Sequence, residues 1–230
     1  MRSRSSSARL PRRLVQGREA LAALEFALVL PVMITALLAT TDVALATITG
    51  RRLEAAVQSV AEIASAQAAQ LNNRNTLTSA QVAIATNAVF GIFPPWKTAI
   101  GTGLFAMTLT GVVFTAQPYG CQSNCTYTAQ VAWSAANQYG KSEIRPCGPL
   151  TMAANTAAVS ASTLPAGAFG ATSLMVADID YTYHPVFFNF VMGNVRMQRS
   201  AYVPPRIGNG TTFVALPGST ATVCSANANQ

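Results

Sequence analysis

Few residues in this chain have the type and setting to do chemistry. Glu25 stands in apolar surroundings, with Leu21-Ala22-Ala23-Leu24 before it and Phe26-Ala27-Leu28-Val29-Leu30-Pro31 after it. An ionised carboxylate there is costly, so it either reaches water at headgroup depth or pairs with a cation and marks a function. Four cysteines, Cys121, Cys125, Cys147 and Cys224, form a second group. A Cys-x3-Cys pair without a second pair or a nearby histidine does not complete a metal site, and an even number in an oxidising compartment favours two disulfides. The sequence does not choose among the possible connectivities. The favoured one joins Cys125 to Cys147, tying the strand that ends near Trp133 to the loop after it, and Cys121 to Cys224, pinning the tail. Asp178, Asp180 and His184 share one face of an alternating run and could approach a cation, although a solvent-facing strand is the simpler account. His184 is the only histidine, and neither a G-x-S-x-G elbow nor a glycine-rich phosphate loop is present. The expectation is a non-enzymatic protein with no cofactor and no metal.

The elements that position these residues follow from where the charge sits. The chain of 230 residues carries 15 Lys+Arg against 8 Asp+Glu, is 10% charged and is 50% hydrophobic. That composition argues against a disordered chain and against a coiled coil. The net charge of +7 suggests at first a nucleic acid or an acidic membrane as partner. However, Arg2, Arg4, Arg9, Arg12, Arg13 and Arg18 all precede Ala20, opposed only by Glu19, so the rest of the chain is close to neutral. An apolar stretch, Ala20 to Ile48, follows this Ser/Arg-rich tail, and its densest part, Phe26 to Leu45, holds a single acid, Asp42. About 20 apolar residues span a bilayer as a helix. The arginines on the N-terminal side outweigh Arg51 and Arg52 beyond the span, which orients the chain N-in, C-out. The reading is a basic cytoplasmic leader over 1–20, a transmembrane helix over 21–48 and an extracytoplasmic domain over 49–230. Two competing readings are a cleaved signal peptide ending at Ala44-Leu45-Ala46 and a twin-arginine signal at Arg12-Arg13. The apolar run is longer than a usual signal core, and Leu14-Val15-Gln16-Gly17 fits the second poorly.

Beyond Thr49, Leu53, Val57, Val60, Ala64, Ala68 and Leu71 recur at spacings of three and four, so the spanning helix is expected to continue outward as an amphipathic rod ended by Asn72-Asn73. A second helix is expected from Ser79 to about Phe90, before Gly91 and Pro94-Pro95. Alternating runs then predict strands at Phe105–Thr110, Thr126–Trp133, Met175–Tyr183 and Val195–Val203, and Asn209-Gly210 predicts a hairpin turn leading into Thr211–Val214. The expected fold class is α+β, a long helix packed on a small antiparallel sheet.

The run Leu24-Glu25-Phe26-Ala27-Leu28-Val29-Leu30-Pro31 resembles the signature of TadE/TadG-like pilus assembly proteins, minor pseudopilins of the tight-adherence (Flp-type) branch of type IV pili. In that family a short basic leader precedes a Glu-Phe pair, an apolar helix with an early proline, an acidic residue and an arginine-containing helix. Glu25, Phe26, Pro31, Asp42 and Arg51-Arg52 stand here in that order. Val176 to Pro185 and Arg199 to Arg206 are similar to the family's C-terminal strands, while residues 101–169 match more loosely. The resemblance implies a pilin-like architecture and processing by a prepilin peptidase five residues before the glutamate. A cut after Ala20 makes Leu21 the first residue and Glu25 the fifth; the family usually has glycine where this chain has Ala20, and Gly17 is the nearest glycine. The new α-amine, with a pKa of about 7.7–8.0, is a cation that the glutamate of a neighbouring subunit can meet.

The resemblance thus implies a minor pseudopilin or pilus-assembly component in the bacterial inner membrane, with its domain in the periplasm, supporting pilus biogenesis and surface adhesion. Its partners would be the membrane, other pilin and pseudopilin subunits and the prepilin peptidase. Nucleic acid is not among them: Trp96, Tyr119, Trp133 and Tyr139 are not interleaved with basic residues. The alternatives are a permanently anchored envelope protein whose outer domain binds a ligand or the cell wall, and a secreted enzyme.

Overall fold

A single helix dominates the architecture. The computed structural model describes residues 18–67, 69–71, 74–93, 104–136, 145–189, 193–206, 211–214 and 221–224. The leader before residue 18 lies outside these, as do Asn72-Asn73, Pro94-Pro95, Trp96, Tyr139 and Asn209-Gly210. Helix α1 spans Arg18–Gln67 without a break. Its described side chains from Leu21 to Leu37 are all exposed. From Asp42 onward it buries one stripe, including Gly50, Leu53, Ala56, Val57, Val60, Ala61 and Ala64, as the spacing predicts. Pro31 lies inside the exposed half and does not end the helix. The hydroxyls of Thr35, Thr40, Thr41 and Thr47 each donate to a carbonyl one turn back, so these polar groups are satisfied without water.

After α1 come two short strands, β1 (Ala69–Leu71) and β2 (Arg74–Thr78), which pair antiparallel with Leu71 opposite Arg74. Leu71, expected on the apolar face of the helix, therefore belongs to a strand. Helices α2 (Ser79–Asn87) and α3 (Val89–Ile92) replace the single expected second helix. A capping box opens α2: the Thr78 hydroxyl accepts from the Gln81 backbone N–H, and the Gln81 side chain accepts from the Thr78 N–H at 2.8 Å.

The main sheet contains β3 (Phe105–Gln117), β4 (Thr126–Ala136), β5 (Pro149–Ala153), β6 (Thr163–Pro165), β7 (Leu174–Tyr183), β8 (Val195–Val203) and β10 (Ala221–Val223). The strand order is β6-β5-β4-β3-β7-β8, with β10 also on β4. All pairings in it are antiparallel except β5 with β6. Strand β9 (Thr211–Val214) runs parallel to β2 and makes a separate three-stranded sheet with β1 and β2. The class is α+β, a long apolar helix followed by an antiparallel-rich sheet.

The alternation along β7 divides the core. Met175, Ala177, Ile179, Tyr181 and Tyr183 face the outer half of α1 with α2 and α3, where Phe93 meets the Tyr181 ring edge-on at 5.0 Å. Leu174 and Val176 point the other way, into a second cluster with Val112, Ala129, Val131, Leu150 and Leu164. The sheet is thus covered on both sides, by helices on one and by the excursion carrying β5 and β6 on the other. Asp178, expected to face solvent, lies on this second face and is 1% exposed.

One irregularity in the sheet depends on a glycine. The β3–β4 register steps from Gly111 opposite Trp133 to Val112 opposite Val131, passing over Ala132. The extra residue flips the side-chain alternation of β4. Val131 and Ala129 consequently join the second cluster while Trp133 and Ala135 join the first, so the alternation read over Thr126–Trp133 does not carry through. The fully buried indole of Trp133 lies over Gly111, where a Cβ would sit 2.2 Å from Nε1. Gly111→Ala should lower stability by about 1–3 kcal/mol, the usual cost of overpacking. Denaturant unfolding of the full chain in detergent checks this, and an unchanged midpoint would contradict the packing of Trp133 on Gly111.

Candidate functional site

The processing residues inferred from sequence lie together at the start of α1. Ala20 is helical, and Leu21, Glu25 and Phe26 project from the exposed part of the rod. Leu21 and Glu25 are four residues apart, hence one turn apart on the same face. The bond between Ala20 and Leu21 lies in the helix's first turn, because the helix already begins at Arg18.

The far end of the exposed segment is built around Asp42. This side chain is 1% exposed although it follows a run of uncovered apolar residues. Its carboxylate accepts the backbone N–H groups of Val186 at 3.0 Å, Phe187 at 3.0 Å and Phe188 at 2.8 Å. These donors belong to the turn that leaves β7 and leads towards β8. Three convergent N–H groups are a strong receptor for a carboxylate, and they satisfy its charge without a cation. The contact spans 144 residues of sequence and fixes the helix to the sheet at one point. Sequence reading singled out Asp42 but not its partners; the available clue was a lone acid ending an apolar run, which requires a partner somewhere.

A second polar group is buried in the sheet. Arg145 is fully buried, with Nε donating to Asp178 Oδ2 at 2.7 Å, Nη2 to Oδ1 at 3.2 Å and Nη1 to the Thr163 carbonyl at 2.7 Å. The Ser200 hydroxyl also donates to Asp178. Burial pushes the Asp178 carboxyl above its ordinary pKa, against the opposing pull of Arg145 and Ser200. Asp180 is engaged separately, by Arg196 Nε at 2.9 Å and Gln198 Nε2 at 3.0 Å. Both aspartates are thus committed to hydrogen-bonded partners, and His184 is exposed beyond the end of the strand. Among the described residues no three His, Cys, Asp or Glu side chains come together as a metal site.

The disulfides differ from the favoured connectivity. Cys121 joins Cys125, and Cys147 joins Cys224. The geometry of β4 explains the exchange. Cys121 and Cys125 flank the turn between β3 and β4, with Cα atoms 5.7 Å apart. Strand β5 pairs with β4 at Ala129 and Gln130, and β10 pairs with the same edge further along, at Trp133 to Ala135. Cys147 precedes β5 and Cys224 follows β10, so they meet where the two strands abut, and the Cys224 N–H donates to Ala132 O at 2.8 Å. Cys125 sits before the other end of β4. At roughly 3.3 Å per residue it is about 20 Å from that junction, well beyond disulfide reach.

Two measurements test these interior contacts. Arg145→Met should cost about 3–5 kcal/mol because it leaves Asp178 buried without its cation, while the Arg145→Met/Asp178→Leu double variant should recover much of that loss. Equal losses in the single and double variants would contradict a coupled pair. Non-reducing peptide mapping should recover the Cys147 and Cys224 peptides as one linked species; a species joining Cys125 to Cys147 would overturn the assignment.

Residues 21–62 match the family model described as TadE-like protein. No curated protein and no solved structure matches the chain. The matched stretch begins at Leu21, includes Glu25 and the Asp42 junction, and ends within the stripe that packs on the sheet. The long helix that anchors this fold therefore carries a TadE-like segment over residues 21–62.

Proposed function

We propose that this protein is a minor pseudopilin or pilus-assembly component of a tight-adherence type IV pilus, held in the bacterial inner membrane by the exposed half of α1. The single observation that carries the reading is where the TadE-like match falls on that helix. The match, from residue 21 to 62, covers the run from Leu21 to Leu37 that packs on nothing in the domain, Glu25 projecting from it, and the first fully covered side chain, Asp42. From Leu21 to Thr41 the helix rises about 31 Å, close to the roughly 30 Å of a hydrocarbon core. On this reading the membrane ends near Thr41, a turn or two before the boundary drawn at Ile48 from composition.

In this role the chain performs no catalysis. The arginine-rich leader holds the N-terminus in the cytoplasm, and the sheet domain stands in the periplasm, where its two disulfides are stable. A prepilin peptidase removes the leader after Ala20. The uncovered helix then packs against the helices of other pilin and pseudopilin subunits, Glu25 meets a neighbour's α-amine, and the finished fibre supports surface adhesion.

The mature N-terminus and the phenotype of Glu25 test the proposal together. Edman or mass-spectrometric sequencing of protein recovered from membranes should begin at Leu21. Glu25→Ala should reduce piliation and surface attachment by an order of magnitude or more while leaving the protein in the membrane fraction. An intact leader with undiminished piliation would instead favour a permanent envelope anchor, and an N-terminus at Thr47 would favour a secreted protein.

A further inference from the structure

We propose that the turn after β7, residues Pro185 to Phe188, is a second membrane contact, inserting Val186 and Phe187 into the outer leaflet's interfacial layer at a depth set by Asp42. The inference rests on the anchoring reading above but concerns a different part of the chain. Val186 is 65% exposed and Phe187 45% exposed, although both backbones are tied down by hydrogen bonds to Asp42. An ordered turn that presents two large apolar side chains outward is unusual for a water-facing loop, since contiguous exposed apolar surface usually marks a contact. Here the surface does not end at the turn. Val43, next to the residue that holds the turn, is itself 53% exposed, and the uncovered helix continues from there toward Leu21.

Depth selects the occupant. Asp42 lies one residue past the point where about 31 Å of helix has been used, which is where a spanning helix leaves the hydrocarbon. The turn is therefore presented sideways at the level of the headgroup and acyl boundary. Apolar side chains on a fixed scaffold enter that layer by burying their area there. The electrostatics fit the same position. The one acid on the helix at this level, Asp42, is covered, and its charge is directed at the backbone N–H groups of the turn rather than at the lipid phosphates. The next charged side chains outward, Arg51 and Arg52, are exposed and lie about 14 Å further along the helix, within reach of anionic headgroups for a long cationic side chain. With two contacts, the helix and the turn, the domain has one preferred tilt over the bilayer, where a single helix would leave it free to rotate.

The test uses the full chain in vesicles of phosphatidylethanolamine and phosphatidylglycerol. The variants Phe187→Cys, Val29→Cys and Tyr119→Cys, each adding one free thiol to the two disulfides, are labelled with an environment-sensitive fluorophore under non-reducing conditions. Quenchers fixed at shallow and deep positions in the lipid are compared with aqueous iodide. The label at 187 should be quenched severalfold more by the shallow lipid quencher than by iodide. The label at 29 should respond to the deep quencher, and the label at 119, on a residue 95% exposed in the turn between β3 and β4, should respond to iodide. Iodide quenching at 187 with deep quenching at 29 overturns the proposal and leaves the anchor standing. Iodide quenching at both overturns the anchor as well. Protection at 187 from every quencher identifies a neighbouring protein subunit as the occupant and also overturns the proposal. Val186→Cys provides a second position should the label at 187 disturb the turn.

Discussion

The hydrogen bonds between the Asp42 carboxylate and the turn after β7 hold the two halves of the molecule in one arrangement. From Leu21 to Leu37 the side chains of α1 are uncovered, Leu38 and Ala39 are half-buried, and beyond Asp42 one stripe of the helix is packed on the domain. A carboxylate at the transition needs compensation for leaving water, and backbone N–H groups supply it without introducing a second charge. The turn needs the carboxylate equally, since its N–H groups converge on one spot and would otherwise be left partly unpaired. The contact also sets the register between helix and sheet, because sliding α1 by one turn would bring Ala46 or Leu38 to the receptor, and neither can accept those bonds.

Further out, the packing follows from this placement. The stripe from Gly50 to Ala64 is made of small and medium residues, which allow the helix to lie close on β7 and β8. Phe93, Phe105 and Tyr181 fill the wider space where α3 meets the sheet. On the opposite face the excursion through β5 and β6 closes over Val112, Val131 and Val176, and Arg145 fastens it by bridging Asp178 and the Thr163 carbonyl. Burying this ion pair is not in itself a large source of stability. Its geometry does specify which segment covers the sheet, because the guanidinium satisfies a strand on each side of it.

Patterns that rest on local periodicity were legible in the sequence. The long apolar helix follows from an unbroken apolar run, and the amphipathic outer half of α1, the four long strands and the helix-facing side of β7 follow from spacings of three and four or of two. Features decided by distant residues were not. Nothing near Arg145 marks it as the partner of an aspartate 33 positions later, so Asp178 looked like an ordinary outward residue of its strand. The disulfide pairing depended on two strands sharing one edge of β4, which no spacing of cysteines reveals. The bulge at Ala132 reversed the alternation of β4 midway, and Val131-Ala132-Trp133 has no glycine or proline to warn of it. At the candidate site the helix side was readable, Glu25 and Asp42 both standing out against apolar neighbours. The turn side was not, because it contributes backbone rather than side-chain groups.

The shared edge of β4 has a consequence for the order in which the molecule matures. Strand β10 is the last described strand to leave the ribosome, yet it takes a place inside the main sheet, on the edge of β4 that it shares with β5. Until it arrives, part of the β4 edge is unpaired and able to recruit strands from other chains. The Cys147–Cys224 bond then locks β10 in place across a separation of 77 residues, and it can persist only where thiols are oxidised. Once closed, the bond keeps β10 on the β4 edge, and with it the protection of that edge from pairing with other chains.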